Sequence, residues 1–124
     1  MLSILIAGND APQTTVLVTD PEVDFPNIFL DVGPSISQLS SENFSLNDPG
    51  IYQITINVPL ATGVGTVAIV VDGVTLATGI STAPASIVAT AIVPPGLPPS
   101  LVQIIGITAL DIAENATIVI ERLA

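Results

Sequence analysis

A chain of 124 residues with eleven carboxylates, one base (Arg122) and a formal charge of −10 cannot release counterions from a nucleic acid or hold an anionic lipid surface. Histidine, cysteine and lysine are absent, which removes disulfides, thiolate metal sites, thiol nucleophiles and the usual general bases. Hydrophobic residues make up 49% of the chain, yet no run reaches the ~18–20 apolar residues of a spanning helix.

Leu2–Ala7 is a short apolar segment closed by Gly8-Asn9-Asp10, a turn signal. It is too short for a signal peptide and has no basic leader. Two readings stand: an ordinary edge strand, or an arm that adds to a neighbour's sheet. Thr14–Thr19 is the next strand candidate, and it ends in the acidic turn Asp20-Pro21-Glu22-Val23-Asp24. Three carboxylates in five residues offer oxygens to a calcium ion, but the spacing matches no defined loop and a Pro-bounded acidic turn is usually just solvated.

Asn27–Val32 is a brief strand stopped by Gly33-Pro34, and Ser35–Asn43 is a polar stretch with Ile36 and Leu39 as anchors. After Phe44-Ser45-Leu46, the turn Asp48-Pro49-Gly50 has the residues a type II turn wants. Tyr52, Ile54, Ile56 and Val58 then alternate with Gln53, Thr55 and Asn57, the period of a strand with one dry face and one wet face. Tyr52, at the first inward position, is expected in the core. Thr66–Val71 is nearly continuous in apolar residues, so it predicts a strand covered on both faces. Asp72-Gly73 is a tight-hairpin signal, and Val74–Thr78 returns.

Ser86–Val93 is a further strand, ended by Pro94-Pro95-Gly96 and kept from continuing by Pro98-Pro99. Leu101–Leu110 is again apolar at almost every position. Asp111–Asn115 turns the chain, and Ala116–Leu123 closes it with Ile118 and Ile120 on one face and Val119 and Leu123 on the other. Eight to ten short strands with Pro and Gly punctuation predict an all-β sandwich or jelly roll. An outer-membrane barrel fits poorly, because its lumen face must be polar, so burial of strand faces between subunits is the better account of the apolarity.

Catalysis has little to stand on. A serine nucleophile would lack His and Lys as its base, and Asp48, Asp72 and Asp111 occupy turns where local backbone bonding accounts for them. Gly63-Val64-Gly65 has no following Lys and no helix, so it is a turn and not a phosphate loop. The expectation is a non-enzymatic chain with no catalytic, cofactor or metal residues.

Phe44, Pro49-Gly50-Ile51-Tyr52 with its alternating strand, the Val-rich strand, Asp72-Gly73-Val74-Thr75-Leu76 and the terminal Ala116–Leu123 follow one another in a particular order. Over roughly residues 35–124 this order resembles the C1q/TNF-like jelly roll, in the bacterial form that caps collagen-like glycoproteins of the Bacillus spore surface. The resemblance implies a homotrimer in which one sheet of each protomer packs about a threefold axis. Strands 51–58, 86–93 and 116–123 would form that sheet. The implied trimer interface comprises Gln53, Thr55, Asn57, Val88, Thr90, Val119, Glu121 and Leu123, and shared burial would explain the doubly dry strands.

No Gly-X-Y tract precedes the domain; residues 1–30 are expected as an arm and connector, and 31–124 as the trimerisation domain. The expected function is therefore a self-assembling subunit of a spore-surface or cell-surface fibre, an endospore appendage of the exosporium type. Trimers would stack head to tail, with Leu2, Ile4, Leu5 and Ile6 as the connector between trimers. The expected partners are further copies of the chain, with a spore-surface anchor protein and a tip adhesin, and neither nucleic acid nor membrane insertion. The alternative is a trimeric binding or adhesion head.

Overall fold

The computed structural model describes residues 3–96 and 98–124 and contains strands only. In chain order these are β1 (Ile4–Asn9), β2 (Gln13–Thr14), β3 (Asn27–Val32), β4 (Ile36–Ser40), β5 (Asn43–Leu46) and β6 (Tyr52–Thr62). Then follow β7 (Val64–Val71), β8 (Val74–Thr82), β9 (Ser86–Val93), β10 (Ser100–Gly106), β11 (Asp111–Ile112) and β12 (Ala116–Arg122). They form two antiparallel sheets. The first is seven-stranded, with β3-β1-β12-β6-β9 across its body and β11 and β2 continuing from the far end of β6. The second is five-stranded, in the order β4-β5-β10-β7-β8. The expected all-β jelly roll is what the chain forms.

The alternation in β6 positions one wall of the core. Tyr52, Ile54, Ile56, Val58 and Leu60 point inward and are buried, as are Ile118 and Ile120 beside them on β12 and Leu5 and Ala7 on β1. Val67, Ile69 and Val71 on β7 and Val102 and Ile104 on β10 form the opposite wall. Phe25 and Phe44 meet at a ring-centroid distance of 6.2 Å, tilted by 56°. Tyr52 is in the core as expected, and its hydroxyl donates to the Asp48 carbonyl at 2.7 Å, which satisfies its polar end.

Asp72 and Gly73 both have positive φ, 51° and 79°, the conformation of a tight hairpin turn, and Val71 pairs with Val74 as the sequence implies. Gly50 differs from expectation. Its φ of 157° is far from the ~80° of a type II turn. The position needs glycine for space: a Cβ there would lie 2.5 Å from the Ala124 carbonyl oxygen and 2.7 Å from Arg122 Nε.

Several expectations need correction. Leu2 lies outside the described residues, but Ile4–Asn9 is neither an edge strand nor a free arm: it is hydrogen-bonded between β12 and β3. Leu5 is completely buried, so the segment is a structural strand of its own protomer. The expected division at residue 30 falls inside β3, and Leu5, Ala7, Val23 and Phe25 share one core with the rest. The expected strand Thr14–Thr19 shrinks to β2. Val16 and Asp20 exchange backbone hydrogen bonds around a tight turn, leaving Val18 at φ 74° and 94% exposed. The polar stretch from Ser35 contains β4, an edge strand held by β5 on one side. The apolar run from Leu101 ends as a strand at Gly106.

The hairpin 66–78 is only half dry, because Val67–Val71 are buried while β8 exposes Val74, Leu76 and Ile80. Within the protomer both sets of alternate side chains on β7 are buried: Val67, Ile69 and Val71 in the core, and Ala68 and Val70 between their register partners Ile105 and Gln103 on β10 and Thr78 and Thr75 on β8. β7 belongs to the second sheet, opposite the one formed by 51–58, 86–93 and 116–123.

Leu5→Ala is expected to cost about 2–5 kcal/mol in urea unfolding, because it leaves a cavity in the shared core. Ile4→Ala, one position along on the outward face, is expected to cost about 1 kcal/mol or less. Equal small losses for both would show that β1 is not integral to the fold.

A candidate self-association face

The outward face of the first sheet follows from register, since directly opposed residues point to the same side. One row reads Val32, Ile4, Glu121, Gln53, Ile92, one residue from each of β3, β1, β12, β6 and β9. The next row reads Leu30, Ile6, Val119, Thr55, Thr90. The third places Gly8, Thr117, Asn57 and Val88 side by side. At Gly8 a Cβ would lie 2.7 Å from the Phe29 ring, so glycine lets that ring lie against the sheet.

The face is therefore polar along β6, apolar along β1 and β3, and mixed along β9. Val88 is 61% exposed, Ile92 52% and Phe29 62%. Leu30 and Val32 are exposed as well. Two exposed apolar strips therefore flank the polar centre, one on β9 and one on β3, and exposed apolar surface of this kind marks an interaction site more often than plain solvent.

Seven of the eight residues implied as a trimer interface come together here: Gln53, Thr55, Asn57, Val88, Thr90, Val119 and Glu121. Leu123 follows the end of β12, half exposed, with its amide bonded to the Ile51 carbonyl. Of the expected connector, Ile4 and Ile6 belong to this face while Leu5 points into the core. Sequence reasoning missed Ile92 and the β3 residues. The period-two pattern Val88, Thr90, Ile92 would have given the first; nothing in the continuous run Ile28–Val32 distinguishes an exposed edge from a buried strand.

The acidic turn assembles differently from expectation. Asp20 and Glu22 are joined by Glu42 from the β4–β5 turn, with one oxygen from each within 4.8 Å of the others. Asp24 instead accepts a hydrogen bond from Ser41 Oγ at 2.9 Å. Burial, the charges of Asp24 and Glu22, a hydrogen bond with Glu22 and the charge of Asp20 raise the Glu42 carboxyl above its ordinary 4.5.

No family model matches the chain, and no curated protein matches its sequence. Solved structures do match in fold. Murine APRIL at pH 8.5 superposes with a TM-score of 0.79 at 15% identity, covering 99% of this chain and 100% of that one. The globular domain of zebrafish complement 1qA gives 0.71 at 13%, covering 98% and 95%. Eiger TNF from S. frugiperda gives 0.69 at 12%, covering 100% and 92%. The chain has the TNF/C1q jelly-roll fold. In this jelly roll, the body of the seven-stranded sheet presents the outward face described above.

The Glu42 arrangement has a measurable consequence. The folded protein holds that proton more tightly than the unfolded chain, so stability is lost as pH rises from 4.5 through the raised value. Glu42→Gln is expected to raise Tm at pH 7 by roughly 1–3 °C, the scale of a surface charge change. The gain should vanish below pH 4.5; a gain that persists there would implicate something other than carboxylate repulsion.

Proposed function

We propose that the chain is a non-catalytic, homotrimeric surface module, a head or structural subunit of a cell-surface or spore-surface appendage, assembled through the outward face of β3-β1-β12-β6-β9. The observation that carries this reading is the contrast between that face and the rest of the chain. Eleven carboxylates make the molecule strongly self-repelling, yet the face displays Val88, Ile92, Leu30, Val32 and the Phe29 ring with one carboxylate among them. A face cleared of like charge is one on which identical chains can meet. The shared fold adds support, since the resemblance described above implies trimers built around one sheet of each protomer. The spore-surface assignment rests on that resemblance alone.

Head-to-tail stacking through Leu2–Ile6 is not favoured, because strand Ile4–Asn9 would have to leave two hydrogen-bonded partners and a buried core position. A filament is favoured by a different observation. The tight turn Val16–Asp20 exposes Val16, Leu17 and Val18, and Thr15 at its base lies against Gly106 and Thr108, toward the Val64 end of β7. At the other end of β7, Val71, Val74, Leu76, Val93 and Pro94 line a groove of about 270 Å³. A tip at one end and a groove at the other make a heterologous contact, which extends without closing. In that case an anchor protein and a tip adhesin are the further partners.

Sedimentation analysis of the purified chain is expected to show trimers, and Val88→Asp with Ile92→Asp to give folded monomers, an affinity loss of about a hundredfold or more from buried unpaired charge. Wild-type monomers at every concentration would refute the trimer. Negative-stain microscopy separates the two assemblies: fibres lost on Leu17→Asp support end-to-end stacking, and discrete particles in the wild type support the head module.

A further inference from the structure

The chain has six asparagines, and two of them open the triplet Asn-X-Ser/Thr: Asn43-Phe44-Ser45 and Asn115-Ala116-Thr117. That triplet is the acceptor motif for N-linked glycans, which are bulky and need a surface position. The structure separates the two. Asn43 opens β5, a strand held between β4 and β10. Its side chain is engaged at both ends: Nδ2 donates to Ser40 Oγ at 2.9 Å, and Oδ1 accepts from Gln103 Nε2 at 2.8 Å. Ser45, two residues on, is buried, and its hydroxyl donates to Asn47 Oδ1 at 2.7 Å. A sugar on Asn43 would have to displace Ser40 and pull a half-buried side chain from its place.

Asn115 is situated differently. It is exposed in the turn between β11 and β12, at a φ of 75° that asparagine adopts more readily than most residues. Its main-chain amide donates to the Asn9 carbonyl at 2.7 Å, so the backbone is held while the residue stays exposed. Thr117 follows in β12, opposite Gly8 on one side and Asn57 on the other. Asn115 itself lies in the turn, outside the three rows of the candidate face.

We propose that Asn115, and not Asn43, is the acceptor of an N-linked glycan. The inference rests on the surface-module reading above in its cell-surface form, because a chain bound for the cell surface crosses the membrane where such transfer takes place. The donor is an oligosaccharide carried on a polyprenyl pyrophosphate, and the catalyst is a membrane oligosaccharyltransferase. Asn115 Nδ2 bonds to the anomeric carbon of the first sugar as that carbon's bond to the phosphate oxygen breaks. The pyrophosphate leaves with the electron pair and the amide nitrogen gives up one proton, so nothing is oxidised or reduced. The Thr117 hydroxyl completes the motif that marks the acceptor. In the folded chain Thr117 is held in the ladder between β1 and β6, so transfer precedes the docking of β12. The finished fold then accommodates the product, since Asn115 remains exposed.

The test expresses the full chain behind a cleavable leader in a eukaryotic secretory line, as wild type, Asn115→Gln, Thr117→Ala, Thr117→Ser and Asn43→Gln. Intact mass is read before and after digestion with a peptide-N-glycosidase, on secreted and cell-retained chain alike. Wild type is expected to carry a single glycan, whose release leaves aspartate in place of Asn115. Asn115→Gln and Thr117→Ala are expected to carry none, while Thr117→Ser and Asn43→Gln keep it. Wild type without a glycan would overturn the inference, and so would a glycan that survives in Asn115→Gln. Sedimentation of unglycosylated chain made in bacteria keeps this inference apart from the reading beneath it. Trimers there, with no glycan on the secreted chain, would remove the Asn115 site and leave the homotrimer standing. Monomers there, with a glycan on Asn115, would remove the homotrimer and leave the site.

Discussion

The period-two alternation of β6 is the constraint on which the rest depends. Its inward residues, Tyr52 to Leu60, form the middle of one core wall, and its backbone pairs with β9 along one edge and with β12 and β11 along the other. A slip of one residue would put Gln53, Thr55 and Asn57 in the core and Ile54 and Ile56 outside. Fixing β6 therefore fixes which side chains of β12, β1 and β9 face outward. The core and the proposed interface are two consequences of one register.

Charge shapes what remains. With one base against eleven acids, ion pairs cannot organise this surface, and the sole cation is used internally. Arg122 ties the end of β12 to Ser35 and Pro49, while Ser35 donates to Asp48 at 2.8 Å. These bonds pin the turn that launches β6. Elsewhere the polar work is done by neutral side chains such as Gln13, which both donates to and accepts from the Asp24 backbone, and Gln103, which donates to Asn43. Neutral amide and hydroxyl bonds lose little to salt, whereas the repulsion among carboxylates is screened by it. The fold and the self-repulsion of its surface therefore respond to ionic strength separately.

Much of this was legible in the residues, for identifiable reasons. Alternation placed β6 and β12, the Pro94-Pro95-Gly96 stop bounded β9, and their grouping on one sheet followed from a resemblance in motif order. The hairpin at Asp72-Gly73 followed from local backbone chemistry alone. What failed was non-local. Leu2–Ala7 reads as an edge strand or a detachable arm because a short apolar segment followed by a turn says nothing about which strands will flank it. Thr14–Thr19 has strong β-propensity, yet the chain turns back at Val18 because the bonds available to Thr15 come from Leu110 and Thr108, far along the sequence. Likewise β4 hides in a polar stretch, since an edge strand needs few apolar side chains to hold its place. A continuous apolar run did mark β7 as covered on both faces, and Val67–Val71 are buried already within the single chain.

The two candidate contact regions differ in kind, and the difference matters for assembly. The sheet face lies along the strands, so contacts there surround an axis roughly parallel to them and can close into a ring. The Val16–Val18 tip and the groove beside Val71 lie at opposite ends of the same strands, so contacts between them run along that axis and cannot close. Neither region uses residues of the other. A chain built this way can form closed rings without filaments, and a substitution at the ends can abolish the filament without disturbing the ring. Losing the face has the opposite consequence: single chains joined only by one small apolar tip would bury too little surface to persist as a fibre. On the proposed reading, assembly would therefore be hierarchical on physical grounds, with the face first and the ends second.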